Sequence, residues 1–196
     1  SVFAVYISMY FAELSSMYPK AGGVYEFSKH TYSRFSSFLI GWIAWLVGNL
    51  TTALMVVAAI NYLIPDPSQF WLKIVISILL ILILNWIAYF GIEASGFVLT
   101  MLAAASISVL LLFIFPGLFQ INYNNYFPFL TVGIPSILIT IFLLSESFFG
   151  WESVTYLAEE IKDPQRTIPK ALVAGTVIVS VLGILTSIVS LGVIPW

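Results

Sequence analysis

The sequence predicts an all-α integral membrane protein with six transmembrane helices, the fifth of them broken. Three observations predict it. Of 196 residues, 61% are hydrophobic and 8% are charged, where an ordinary soluble domain carries about 25% charged residues. The apolar residues gather in six runs near the length a bilayer requires. Inside one of those runs stand a glycine and two carboxylates, groups that an uninterrupted lipid-facing helix would not carry.

Mean hydropathy is +1.06. A soluble fold of this size could not bury that much apolar surface, which excludes a cytosolic enzyme, a disordered tail and a nucleic-acid binder. The net charge is −2, and seven Lys and Arg spread along the chain make no basic face for phosphates. Cysteine is absent, so neither a disulfide framework nor a thiolate metal site is expected. No cofactor is expected either. Ser1 is not an initiator methionine, and no basic segment precedes the first apolar run as it would in a signal peptide. The chain stops at Ile194-Pro195-Trp196, as an apolar run stops. We expect a single transmembrane domain, residues 1–196, cut from a longer protein.

A span needs about 20 apolar residues to cross a hydrocarbon core of about 30 Å. The expected spans, A to F, are 1–18, 35–63, 70–89, 96–119, 132–161 and 169–193. Span B would be about 43 Å long as a straight helix, so a strong tilt is expected. A transmembrane β-barrel would need segments of about 10 alternating residues. Residues 75–84 and 109–115 are apolar without alternation, which favours helices.

Orientation follows from the cations. Residues 18–34 hold Lys20, Lys29 and Arg34, with His30; residues 162–170 hold Lys162, Arg166 and Lys170. With six spans these loops share one side, expected to be the cytoplasm of a multi-pass cell-membrane protein. The opposite loops, 64–69 and 120–131, hold no Lys or Arg, and Lys73 lies one turn inside span C.

Span E contains Glu146, then Ser147-Phe148-Phe149-Gly150-Trp151, then Glu152. Charge at a helix centre costs about 2.5–3.5 kcal/mol on insertion scales, and mid-helix Gly costs about 1 kcal/mol against Ala. Non-helical backbone at membrane depth is tolerated only where it lines a cavity or is buried in protein. Broken helices of this kind form midplane substrate sites in secondary transporters. The plainer readings are a close helix contact at Gly150, core packing for Phe148, Phe149 and Trp151, and structural hydrogen bonds for Glu146 and Glu152. On α-helical spacing Glu152, Tyr156 and Glu159 form one polar stripe beyond the break. In span B, Gly41, Ala44, Gly48 and Thr52 make a small-residue seam. Asn49 lies beside it, suited to an interhelical hydrogen bond or to substrate contact.

Catalytic readings fail on residue types. The one histidine, His30, is in a loop, so neither Ser–His chemistry nor the HExxH zinc pattern is present. Asp66 and Asp163 both lie in loops, which removes an intramembrane aspartyl dyad.

The segment Phe11-Ala-Glu-Leu-Ser-Ser-Met-Tyr-Pro-Lys-Ala-Gly-Gly-Val-Tyr25 resembles the end of the second helix and the following loop of amino-acid permeases of the amino acid–polyamine–organocation superfamily. Phe149-Gly-Trp-Glu-Ser153 and Ala158-Glu-Glu-Ile-Lys-Asp-Pro-Gln-Arg-Thr-Ile-Pro169 resemble that family's broken sixth helix and its cytoplasmic exit. Trp42 through Asn49 is similar to its third helix, and Gly91-Ile-Glu-Ala-Ser95 to the loop before its fifth. The resemblance covers essentially the whole chain, with spans A to F as family helices two to seven.

It implies the LeuT-type fold of two inverted five-helix repeats, present in part, without the first and eighth helices. It implies a substrate pocket lined by Ser147, Phe148, Phe149, Gly150 and Trp151, with unwound carbonyls facing a substrate ammonium. By the same resemblance Asn49 matches a substrate-contacting asparagine of arginine/agmatine exchangers. Glu152 matches an acidic position of several members, and Glu146 stands where relatives often carry an aromatic gate residue. Both are candidates for proton coupling or gating. A lysine that some proton-coupled members carry in the fifth helix is replaced by Ser106. The function expected is secondary active transport of amino acids or related amines by alternating access, proton-coupled or by exchange. The alternative is a membrane scaffold or sensor that keeps the permease fold without transporting.

Overall fold

The computed structural model describes residues 2–127, 133–146 and 150–194. All regular structure among them is helical. The helices are α1 (Val2–Met17), α2 (Val24–Lys29), α3 (Arg34–Leu63), α4 (Phe70–Tyr89), α5 (Ile92–Leu118), α6 (Ile134–Glu146) and α7 (Pro164–Val193). Short 3₁₀ segments occupy Pro67–Gln69 and Tyr123–Tyr126, and a longer one Trp151–Glu160. Arg34–Leu63, Pro67–Tyr89, Ile92–Leu118 and Pro164–Val193 are each long and apolar enough to cross a bilayer. α1, with 16 residues, and α6, with 13, are shorter.

The helix ends follow from local chemistry. Ser33 caps α3, its Oγ accepting the Ser36 N–H at 3.3 Å. Asp66 Oδ1 accepts the Ser68 N–H at 2.9 Å and starts the turn that runs into α4. α4 ends at Gly91, whose φ of 93° only glycine adopts readily. The Gly91 carbonyl accepts the Ser95 N–H at 3.2 Å, so α5 begins at Ile92, before the Gly96 read from hydropathy. α7 likewise begins at Pro164 rather than Pro169. Pro164 sits in its first turn, where a missing N–H leaves no bond unmade.

The chain forms two compact units, residues 1–31 with 105–196, and residues 32–104. In the second, α3 packs on α4. Val56 and Ile60 are buried, and Lys73 Nζ donates to Asn61 Oδ1 at 2.9 Å. The lysine inside span C thus has a polar partner on the preceding helix. α4 buries none of its own residues, as suits a helix whose solvent is lipid.

In the first unit, α1 packs on α7, the most extensive helix contact among the described residues. α1 buries Ala4, Ser8, Ala12 and Ser15. α7 buries Ile168, Leu172, Thr176 and Ser180 at intervals of four. Small side chains let helix backbones approach, and van der Waals packing is what joins helices in lipid. Three of the hydroxyls bond back to their own helix: Ser8 to Val5 O, Ser15 to Ala12 O and Thr176 to Leu172 O, at 2.7–2.9 Å. At the far end of α7 the connection after α5 docks on the helix. The Asn122 N–H and Asn125 Nδ2 both donate to Gly192 O at 2.9 Å, and the Tyr126 hydroxyl to Ile188 O at 2.8 Å.

A Cβ at Gly192 would stand 2.5 Å from the Tyr126 hydroxyl and 3.1 Å from Ile121. Gly192→Val should therefore push 121–126 off the helix end and destabilise by about 1–3 kcal/mol, the usual range for overpacking. Thermal unfolding in detergent should show a lower Tm. An unchanged Tm would mean the connection does not pack there.

Candidate functional site

The right-handed ladder of α6 does not pass Gly150. That residue has φ 117° and ψ −3°, a conformation that L side chains rarely adopt. Its N–H donates to Glu152 Oε2 at 3.2 Å, and its carbonyl accepts the Ser153 N–H at 3.0 Å. The carboxylate thus takes up a backbone donor near the interruption. Glu152 is half-buried. Ser147, Phe148 and Phe149 lie outside the described residues, as do the side chains of Glu146 and Trp151.

Beyond Gly150 the chain is a 3₁₀ helix of 10 residues, Trp151–Glu160, where runs longer than 3–4 are uncommon. This corrects the stripe read from the sequence. A period of 3.6 would align Glu152 with Tyr156 and Glu159. A period of three instead aligns Glu152 with Thr155 and Ala158. That face is the buried one, with Thr155 at 1% and Ala158 at 2% exposure. Ala158 shares a core with Ala12, Ile168 and Leu172, with Val154 and Ile161 packed at its edge. The Thr155 hydroxyl donates to Glu152 O at 2.5 Å.

Thr155, Tyr156 and Glu159 all reach the connection between α1 and α2. A Cβ at Gly23 would stand 2.7 Å from Thr155 Oγ1 and 2.8 Å from the Tyr156 ring. The Ala21 N–H donates to Glu159 Oε1 at 3.4 Å. The Ala21–Gly23 turn and the 3₁₀ helix are therefore in contact, at the end of α7 opposite Gly192. Nothing in the sequence spacing paired them, because the partners are 138 positions apart.

Asn49 lies on α3, in the other unit, and is exposed. Its Nδ2 donates to Trp45 O of its own helix at 2.8 Å. The carbonyl four residues back is an acceptor a helical asparagine can reach without leaving its own helix. Thr52 does the same to Gly48 O at 2.8 Å. A Cβ at Gly48 would meet nothing within 4 Å, so no described residue closes on that part of the seam.

Sequence reading passed over Glu26. It is buried on α2 with its Oε2 2.7 Å from Lys29 Nζ and its Oε1 3.5 Å from His30 Nε2. His30 stacks on Tyr18, with ring centroids 4.1 Å apart. The hydrogen bond from Lys29 holds the Glu26 carboxyl below the usual glutamate range, against the opposing effect of burial. The i, i+3 and i, i+4 spacing of Glu26 with Lys29 and His30 was the available signal.

The sequence matches the amino acid permease family over residues 1–196. The chain belongs to that family. Its similar proteins include the methylthioribose transporter of Bacillus subtilis (strain 168), 25% identical over 203 residues, covering 95% of this chain and 44% of the transporter. The branched-chain amino acid permease BcaP of the same organism is 24% identical over 211 residues, covering 98% and 45%. A probable polyamine transporter of Arabidopsis thaliana is 28% identical over 189 residues, covering 94% and 38%. The chain thus spans under half the length of these curated relatives. It is a multi-pass membrane protein of a family of transporters rather than enzymes. In this chain the Pro19–Tyr25 motif contains the turn that meets the 3₁₀ helix, and the second motif contains the left-handed Gly150.

Because the Glu26 carboxyl is lowered, its stabilising effect is complete above the ordinary glutamate value of 4.5 and is lost as pH falls through the lowered one. Wild type should exceed Glu26→Gln in Tm at neutral pH, and the gap should close as pH drops well below 4.5. A pH-independent gap in detergent melts would remove the ion-pair account.

Proposed function

We propose that the protein to which this chain belongs is a secondary active transporter of amino acids or related amines, working by alternating access. The observation that carries the reading is the interruption at Gly150, with Glu152 accepting the Gly150 N–H. Irregular backbone inside a membrane helix frees carbonyls, and freed carbonyls suit an ammonium group. On this reading the chain contributes helices two to seven of a LeuT-type fold. Ser147, Phe148, Phe149, Gly150 and Trp151 form one wall of the site, and Asn49 is a further contact. The relatives' printed names, for a branched-chain amino acid permease and a probable polyamine transporter, support a substrate bearing an amine.

Proton symport or exchange supplies the driving force. Glu152 is the coupling candidate, with Glu146 the second. A carboxylate accepts the Gly150 N–H more strongly than a neutral acid does, so protonating Glu152 loosens the geometry of the break. Uptake of labelled amino acids and amines into proteoliposomes by the full-length protein tests the transport reading. Saturable uptake that Gly150→Ala abolishes is expected, while the 196-residue chain alone should show none. Glu152→Gln should remove most of the pH dependence while substrate still binds. An unchanged pH profile would assign Glu152 to structure.

The basic connections 18–34 and 162–170 face the cytoplasm on this reading. The contact of Ala21 with Glu159 supports a common side, and the cation excess supports the cytoplasmic one. Single cysteines at the exposed positions Thr31, Ser68 and Gln165 should label from inside, outside and inside. Any other pattern would overturn the topology.

A further inference from the structure

The segment that follows the interruption is held by contacts that converge on one side chain. Thr155 is 1% exposed. Its hydroxyl reaches Glu152 O at 2.5 Å, and the Glu152 carboxylate in turn reaches the Gly150 N–H at 3.2 Å. On its other side, the space a Cβ of Gly23 would need is filled by Thr155 Oγ1 and the Tyr156 ring, at 2.7 and 2.8 Å. Gly23 itself has φ 51° and ψ −126°, outside the reach of residues with a side chain, and it is buried. The turn and the 3₁₀ helix are further joined by Ala21 N–H to Glu159 Oε1. Gly23 thus forms a seat for the hydroxyl that donates to Glu152 O.

We propose that Thr155 is a positioning residue for the site at the break: seated on Gly23, it fixes the Glu152 backbone and thereby holds the Glu152 carboxylate on the Gly150 N–H. This deepens the transporter reading and rests on it for the site's purpose, while the relay itself is a property of the fold. A Thr155 that serves packing alone would make Val at least as good, because Val keeps the shape and removes a buried hydroxyl. It would also make Ser worse, through loss of the methyl group. The relay requires the opposite order.

Two measurements separate the relay from the transport reading. The first is amide hydrogen exchange of the full-length protein in detergent. Thr155→Val should speed exchange of the Gly150–Ser153 amides about fivefold or more, the effect of losing one hydrogen bond, and Thr155→Ser should restore protection. Gly23→Ala should act in the same direction by displacing the hydroxyl. Protection in Thr155→Val equal to wild type, or Ser worse than Val, would overturn the proposal whatever the protein transports. The second is uptake. Thr155→Val should lower maximal uptake with a smaller change in KM, and Thr155→Ser should recover it. A Thr155→Val protein with altered exchange but wild-type uptake would overturn the positioning role. Absence of uptake by the wild-type protein itself would instead count against the transport reading and leave the exchange result standing.

Discussion

In the hydrocarbon core no water is at hand for a backbone N–H or C=O, so each must find its partner within the protein. The long helices of this chain meet that requirement along most of their length. The places where they do not are where specific side chains are found. Ser33 and Asp66 accept the first free N–H groups of their turns, and the Gly91 carbonyl is taken by Ser95. At Gly150 the same requirement is met by a carboxylate two residues on. An acidic residue beside the interruption therefore has a structural reason.

A second constraint is that helices in lipid gain from contact only when they come close. α1 achieves this with Ala4, Ser8 and Ala12 against α7. Gly23 carries the principle to its limit, since even a methyl group would collide with Thr155 and Tyr156. Gly192 does the same against Tyr126 at the other end of α7. In each case the missing side chain makes the contact, and the neighbouring polar atom then finds a backbone partner within reach.

Charge is sorted accordingly. The ion pairs among the described residues, Glu26 with Lys29 and Asp163 with Arg166, lie in a connection and at a helix start. Glu26 is the instructive one. It is buried, and the Lys29 ammonium one turn along the same short helix holds its carboxyl below the usual glutamate range. Its carboxyl needs no distant element, so α2 can form as a local unit between Gly23 and His30.

The sequence by itself determined the membrane class, the family and the approximate position of the four long apolar helices, but not the short helix Val24–Lys29 within the first connection. These depend on hydropathy summed over many residues and on motifs, and such sums tolerate local error. It also located the interruption, because glycine between aromatics and carboxylates is a local signal. The tertiary structure alone decided which face of Trp151–Glu160 is buried. Packing against Ala12, Ile168 and Leu172 goes with a 3₁₀ period, and a period of three rather than 3.6 puts Thr155 and Ala158, not Tyr156 and Glu159, in register with Glu152. It alone decided that Asn49 bonds to its own helix, and that Gly23 receives Thr155 from more than a hundred residues away. Spacing along a chain reports neighbours within a few turns; which distant surfaces meet depends on shape and on the loss of solvent between them, and neither is written at any one position.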